Sequence, residues 1–356
     1  MGILVSLAVL SALIIFHEWG HFLAARFFGV KVEEFGLGMP ILVTKPLWKK
    51  RWGETTYAFY PMLLGGFVRM KGQDDFDLSK KSDDPDSYMS KKPWQKIVIL
   101  LAGPFANILL AFLLYIAIAI IGADALAPTV GQTIENSPAA EAGLKPKDRI
   151  VAINGQRVQI WEDIGKIITT SAGPLQVTVE RNGKLQNFIL TPKVQEARSI
   201  FGEKIHKKMI GIAPSGAFVK IPMHSVNDVF HYAWEKTVWA TGLIVRSLEK
   251  LIEGVVPASQ MGGIVSIVQV TSQASAIGIT TLFALAALIS VNLGVLNLLP
   301  IPALDGGHIV FNLYEMLFKR PPSEKVFYNL TVAGWVLLLS LMAFTTYNDI
   351  LRIMRG

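Results

Sequence analysis

Cysteine is absent from all 356 residues of the chain. Disulfides and thiolate metal sites are thereby excluded, which leaves histidine, aspartate and glutamate as the strong ligands open to a zinc ion. Charge is scarce as well. Only 17% of the residues are Asp, Glu, Lys or Arg while 51% are hydrophobic, against about 25% charged in soluble domains, and mean hydropathy is +0.43. These values describe a polytopic α-helical membrane protein. A formal charge of +7 and a pI near 9.4 are what the basic cytoplasmic loops of an inner-membrane protein produce by the positive-inside bias, so no nucleic-acid partner is inferred. No basic segment precedes the first apolar run and no small-residue cleavage signal follows it, so that run reads as a retained helix. The inverted repeats of transporters are also missing.

What is present are apolar runs long enough to cross ~30 Å of hydrocarbon. They extend from about Ile3 to Phe28, Ile97 to Gly122, Ala274 to Leu304 and Phe327 to Tyr347. Arg26 and Lys31 flank the first, and Lys45, Lys49, Lys50, Arg51, Lys91, Lys92 and Lys96 lie in the loop that follows. By the positive-inside rule that loop is cytoplasmic and both termini are outside. The expected division is a first half of the membrane core at 1–122, an extracytoplasmic β-rich domain at 123–195, a linker with an amphipathic membrane-surface helix at 196–273, and a second half of the core at 274–356. The helix is read over Val226 to Ile252, where apolar residues recur at helical spacing. Six aspartates between Asp74 and Ser90 are read as a solvated run without chemistry, and Met261-Gly262-Gly263-Ile264 as a turn.

Chemistry concentrates in the first run, at His17-Glu18-Trp19-Gly20-His21. On a helix, positions i and i+4 share a face, so His17 and His21 can reach one metal ion with Glu18 beside them as general base. The five-residue pattern alone recurs by chance. Two histidines and a glutamate within hydrocarbon are costly, however, at ~2.5–3.5 kcal/mol for a charged residue at mid-helix, and point to function. A catalytic zinc takes three protein ligands and keeps one position for water, so one ligand is missing. The first and third spans run in the same direction, and late in the third stands Asn297-Leu-Leu-Pro300-Ile-Pro302-Ala-Leu-Asp305-Gly306-Gly307. Asp305 is the natural third ligand and His308 a rival. Prolines at membrane depth are tolerated where backbone is buried in protein or lines a cavity.

The pair of motifs, His17/Glu18/His21 early and Asn297/Pro300/Pro302/Asp305/Gly306 late, resembles the site-2 proteases, intramembrane zinc metalloproteases, in the bacterial branch that includes the sigma-E regulator protease. Gly36-Leu37-Gly38 and the stretch from Gly103 to Asn107 are further matches. The segment from Asn136 to Gly155, with Ala142-Gly143-Leu144 and Asn154-Gly155, resembles the PDZ domains of bacterial proteases, in one copy. Strands are predicted over Leu175–Val179 and Asn187–Leu190 and a helix over Trp161–Thr170. A PDZ domain can bind a peptide tail by strand addition, here at Val130 and Gly131 on the candidate edge Thr129–Gln132; the alternative is a filter against bulky external domains. Thr55–Tyr60 and Leu63–Met70 alternate like two strands and resemble the family's membrane-associated β-hairpin, whose edge, near Gly65 and Gly66, would hold extended substrate backbone. Asn297 would grip that backbone or the developing oxyanion, or else satisfy carbonyls freed by the prolines.

The resemblance implies one Zn2+ per chain and hydrolysis of single-span membrane proteins already trimmed by an upstream extracytoplasmic protease. Anti-sigma factors and leftover signal peptides are the implied substrates, with fragments released to the cytoplasm. A transporter and a catalytically silent adaptor are the other classes, and an adaptor would be expected to have lost Glu18 or a ligand.

Overall fold

The computed structural model describes residues 2–40, 44–62, 65–73 and 84–355. The chain forms two compact units, one of residues up to Ile116 with His231–Glu249 and Pro257 onward, the other of Ala117–Phe230 with Lys250–Val256.

The first unit is built on apolar helices. Helix α1 (Gly2–Phe27) and α2 (Pro93–Ile121) are followed, beyond the β unit and α5, by α6 (Ile264–Ile277), α7 (Ile279–Asn297), α8 (Asp305–Phe318) and α9 (Glu324–Arg355). Among the described residues α1, α2, α7 and α9 are long and apolar enough to cross a membrane. The expected third run is divided: Gly278, in an extended conformation, separates α6 from α7. The 19 residues of α7 still reach ~28 Å at 1.5 Å per residue. Helix α6 is anchored in its N-terminal half from two other helices. Asp349 of α9 accepts from the Gly263 and Ser266 amides at 3.1 and 3.0 Å and from the Ser266 hydroxyl at 2.5 Å, so the glycine pair expected as a turn is a helix N-terminus capped from another helix. Ser6 of α1 donates to Val268 O. Lys96 of α2 and Glu315 of α8 pair at 3.2 Å with the lysine side chain 5% exposed.

Between α1 and α2 lies a sheet of β1 (Val32–Leu37), β2 (Trp48–Trp52), β3 (Thr55–Phe59) and β4 (Gly66–Met70), in the order β2-β3-β1-β4. The expected hairpin of Thr55–Tyr60 with Leu63–Met70 is corrected by this order. Strand β1 runs between them, parallel to β3 and antiparallel to β4, and β3 makes its hairpin with β2 instead. Glu34 explains the insertion. It is 8% exposed, and its carboxylate takes the Tyr60 hydroxyl at 2.7 Å and Arg69 at 3.1 Å, partners supplied from either side of β1. A buried carboxylate needs such pairing. Two glutamates and a glycine in six residues conceal the strand in the sequence. Leu63 and Leu64 lie outside the described residues, as do Asp74, Asp75, Asp77 and Asp83; Asp84 and Asp86 pair with Lys71.

In the second unit β5 (Asp124–Leu126), β6 (Val130–Thr133), the short α3 (Pro138–Glu141), β7 (Arg149–Ile153), β8 (Gln156–Arg157), α4 (Trp161–Thr170), β9 (Leu175–Arg181) and β10 (Lys184–Leu190) lead to β11 (Lys193–Arg198), β12 (Lys204–Met209), β13 (Ile212–Pro214) and β14 (Phe218–Lys220). The main sheet is ordered β10-β9-β7-β8. Val130, Ile150, Ile153, Ile164, Val177 and Ile210 are among its core residues. The expected boundary at 195 differs from the pairing observed: β13 returns to β6 and β14 to β5, with Ile210 1% exposed in the core. The unit therefore continues to Lys220. Helix α5 (Val226–Ile252) follows. Ala233, Thr237 and Ala240 are buried along one side while the apolar Phe230, Trp234, Val238 and Val245 are exposed.

One buried ion pair holds the turn before β7. Asp148, 1% exposed, accepts from Arg181 Nε and Nη2 at 2.6 and 2.7 Å and from the Lys145 amide at 2.8 Å. Burial pushes its carboxyl up, and the guanidinium and amide outweigh it and hold it below the usual carboxylate range. The stabilisation is therefore complete above the unfolded value of about 4 and is lost as pH falls through the lowered folded value. Asp148→Ala leaves Arg181 with the Gly143 carbonyl and the Phe188 ring as its partners and is expected to destabilise the unit by ~1–3 kcal/mol. Hydrogen-exchange protection of β7 and β9 in the full chain checks both: it should drop in the variant, and in the parent stay flat from neutral pH down to about 5 before falling.

Candidate metal centre

Helical spacing brings the first two candidate ligands together. His17 and His21 of α1 are 9% and 6% exposed, with their Nε2 atoms 3.2 Å apart. Asp305 enters from the first turn of α8. Its Oδ2 lies 3.2 Å from His17 Nε2 and 3.4 Å from His21 Nε2, closing a triangle of nearly equal sides. This is the group of potential metal-holding side chains found among the described residues. A tetrahedral zinc with arms of about 2.0–2.1 Å separates its donors by about 3.3–3.4 Å, so the triangle has the size such an ion requires. Asp305 Oδ2 is buried, and among the described residues no donor beyond the two rings reaches it. That orphaned oxygen is what a metal would satisfy.

The loop before α8 sets the third donor. After Asn297 the prolines at 300 and 302 end α7, and the chain turns back with Ala303 at φ 117°, a conformation that L residues other than glycine seldom adopt. A side chain at Gly306 would strike the Leu298 and Leu299 carbonyls, and one at Gly307 the backbone of Ile301 and Pro302. The two glycines after Asp305 therefore permit the folded-back approach. His308 does not join the triangle; its ring packs on Phe311 and Phe327.

Around these ligands the supports differ. The Nδ1–H of His21 donates to Ile99 O at 2.8 Å. Because a carbonyl only accepts, this bond leaves the Nε2 lone pair facing the triangle. Gly103 of α2 lies where any side chain would collide with the His21 ring, which gives the close helix approach its physical reason. Asn107, one turn on, is fully buried and places its amide 3.2 Å from His17 Nδ1. In the sequence Asn107 belongs only to the stretch from Gly103 that matches the family; its contact with the His17 ring becomes visible only in three dimensions.

Glu18 stands on the same helix, with Gly66 against its stem: a Cβ built on Gly66 would lie 3.1 Å from Glu18 Cγ. The Val68 amide also faces the Glu18 carboxyl. Strand β4 is the terminal strand of its sheet, so Gly66 is brought beside the candidate base. Gly65 adjoins it, bonded through its carbonyl to the Gly38 amide. Asn297 ends α7, and its side-chain amide bonds to no described residue.

Val130 and Gly131 are a correction. Val130 is fully buried, its amide donates to Asp148 O and its carbonyl accepts from the Lys147 amide, both at 2.8 Å. Strand β13 occupies the other side of β6. At Val130 the backbone is thus already paired on both sides.

With this geometry the comparisons agree. The family model described as peptidase family M50 matches residues 5–341. A Campylobacter jejuni protein provisionally named a zinc metalloprotease is 45% identical over 350 residues, covering 98% of this chain and 93% of its own. A Helicobacter pylori protein with the same provisional name is 36% identical over 99% of both chains. The metalloprotease MmpA of Caulobacter vibrioides is 34% identical, over 97% of this chain and 94% of its own. A match across almost the whole length, on a chain with four membrane-length helices, makes this a multi-pass membrane protein that belongs to peptidase family M50.

Proposed function

We propose that the protein is an intramembrane zinc metalloprotease in which His17, His21 and Asp305 hold the metal and Glu18 is the general base. The observation that carries the proposal is the triangle of donors at 3.2–3.4 Å between α1 and the first turn of α8. When bound, zinc supplies a Lewis acid for the scissile carbonyl and lowers the pKa of water to about 7. Glu18 takes the proton of the attacking water and passes it to the leaving amine nitrogen. No acyl-enzyme is required.

Hydrolysis needs an extended substrate, because a helix hides its amides in i→i−4 bonds. The exposed side of β4, with Gly66 and Val68 against Glu18, offers backbone partners for such a segment by strand addition. Gly65 and Gly66 leave room for close approach, and the unbonded Asn297 amide serves as a donor to the backbone or the developing oxyanion. The substrates inferred are single-span membrane proteins already trimmed by an upstream extracytoplasmic protease, anti-sigma factors and signal-peptide remnants among them. We place the protein in a bacterial cytoplasmic membrane with both termini outside and products released inward. The second unit is read as the PDZ domain; with the backbone at Val130 paired on both sides, it is favoured as a size filter.

The test uses purified protein, a pre-trimmed single-span substrate and zinc analysis. Glu18→Gln is expected to retain one zinc while cleavage falls by at least ~10²-fold. Asp305→Ala should lose both; full occupancy in that variant would remove Asp305 from the ligand set. In the parent, a chelator should abolish cleavage and added zinc restore it, whereas cleavage that survives complete zinc removal would rule out the metalloprotease reading.

A further inference from the structure

We infer that Asn107 is a positioning residue that sets the tautomer of His17, its amide oxygen accepting from His17 Nδ1–H so that the Nε2 lone pair is directed at the metal. The inference rests on the zinc reading above. Each histidine ligand offers only Nε2 to the triangle, so each must carry its proton on Nδ1, and each Nδ1 needs an acceptor. For His21 the acceptor is the main-chain oxygen of Ile99, which no side-chain substitution removes. For His17 the group beside Nδ1 is the Asn107 amide at 3.2 Å.

Which end of that amide faces the ring is a matter of assignment, since oxygen and nitrogen have nearly the same shape. With the NH2 group toward Nδ1, the neutral ring would carry its proton on Nε2, inside the triangle; the outer end of the amide is buried without a partner among the described residues whichever way it is turned. With the oxygen toward Nδ1 the ring proton is held outside and the lone pair faces inward. Metal binding selects the second orientation. The amide can adopt either, so His17 is the ligand whose state depends on a replaceable neighbour. The helix contact at Asn107 does not need the side chain: its main-chain oxygen accepts from Ser290 of α7 at 2.7 Å. Positioning and packing are therefore separable.

The experiment measures zinc affinity by competition with a chromophoric indicator, and the visible absorption of the cobalt-loaded protein, in full-length parent, Asn107→Leu and Asn107→Asp. Leucine keeps the number and branching of the side-chain heavy atoms and removes the acceptor, and its zinc affinity should fall about 10–100-fold, with thermal unfolding of the metal-free protein reporting any packing cost separately. Aspartate can only accept, and should hold zinc at least as tightly as the parent. Parent-like affinity and cobalt spectrum in Asn107→Leu, with one zinc in the parent, would overturn the positioning role and leave the zinc reading standing. Equal losses in both variants would assign Asn107 to packing alone. A parent that binds no zinc would instead remove the reading on which the inference rests.

Discussion

Three lone pairs aimed at one point among apolar helices are unfavourable until something positive lies between them. His17, His21 and Asp305 have been taken from water, and among the described residues the buried Asp305 oxygen meets only the two rings. Polar groups without partners in such surroundings cost several kcal/mol each. A divalent cation converts that cost into a binding site, and much of the membrane unit can be understood as holding the three donors in reach of it. Gly103 lets α2 approach the His21 ring, the Ile99 carbonyl and Asn107 amide face the outer nitrogens, and the proline-broken loop with its paired glycines turns Asp305 inward.

The same constraint explains why a soluble-looking element accompanies the helices. A sheet inserted between α1 and α2 brings Gly66 and Val68 of β4 against Glu18. Helices alone would present a substrate with side chains; a terminal strand presents backbone donors and acceptors, which an extended peptide needs as it loses its own helical bonds. The buried Glu34, shared between Tyr60 and Arg69, fixes the strand order that puts β4 on that side.

Much of this was legible in the chain because its signals are local or compositional. The i, i+4 histidines need only the helix period, the spans need only length and hydropathy, and α4 and β9 follow from alternation. Asp305 was legible through topology, since two spans of the same direction bring their late residues to one depth. What escaped depends on contacts distant in sequence. Strand β1 is concealed by Glu33, Glu34 and Gly36, and its place between β3 and β4 comes from pairing that no local pattern encodes. Strands β13 and β14 are three residues each, too short to signal, yet their pairing extends the β unit and closes the β6 edge that Val130 and Gly131 were expected to offer. The role of Asn107 beside His17 escaped because the two lie 90 residues apart.

The central claim is that two imidazoles and one carboxylate of this chain share a single zinc ion. X-ray absorption at the zinc edge of the purified protein tests it most directly. The account predicts one zinc per chain, a first shell of nitrogen and oxygen at about 2.0–2.1 Å, and outer-shell scattering from two imidazole rings. Scattering from a third imidazole, an all-oxygen shell, or protein without zinc would contradict it.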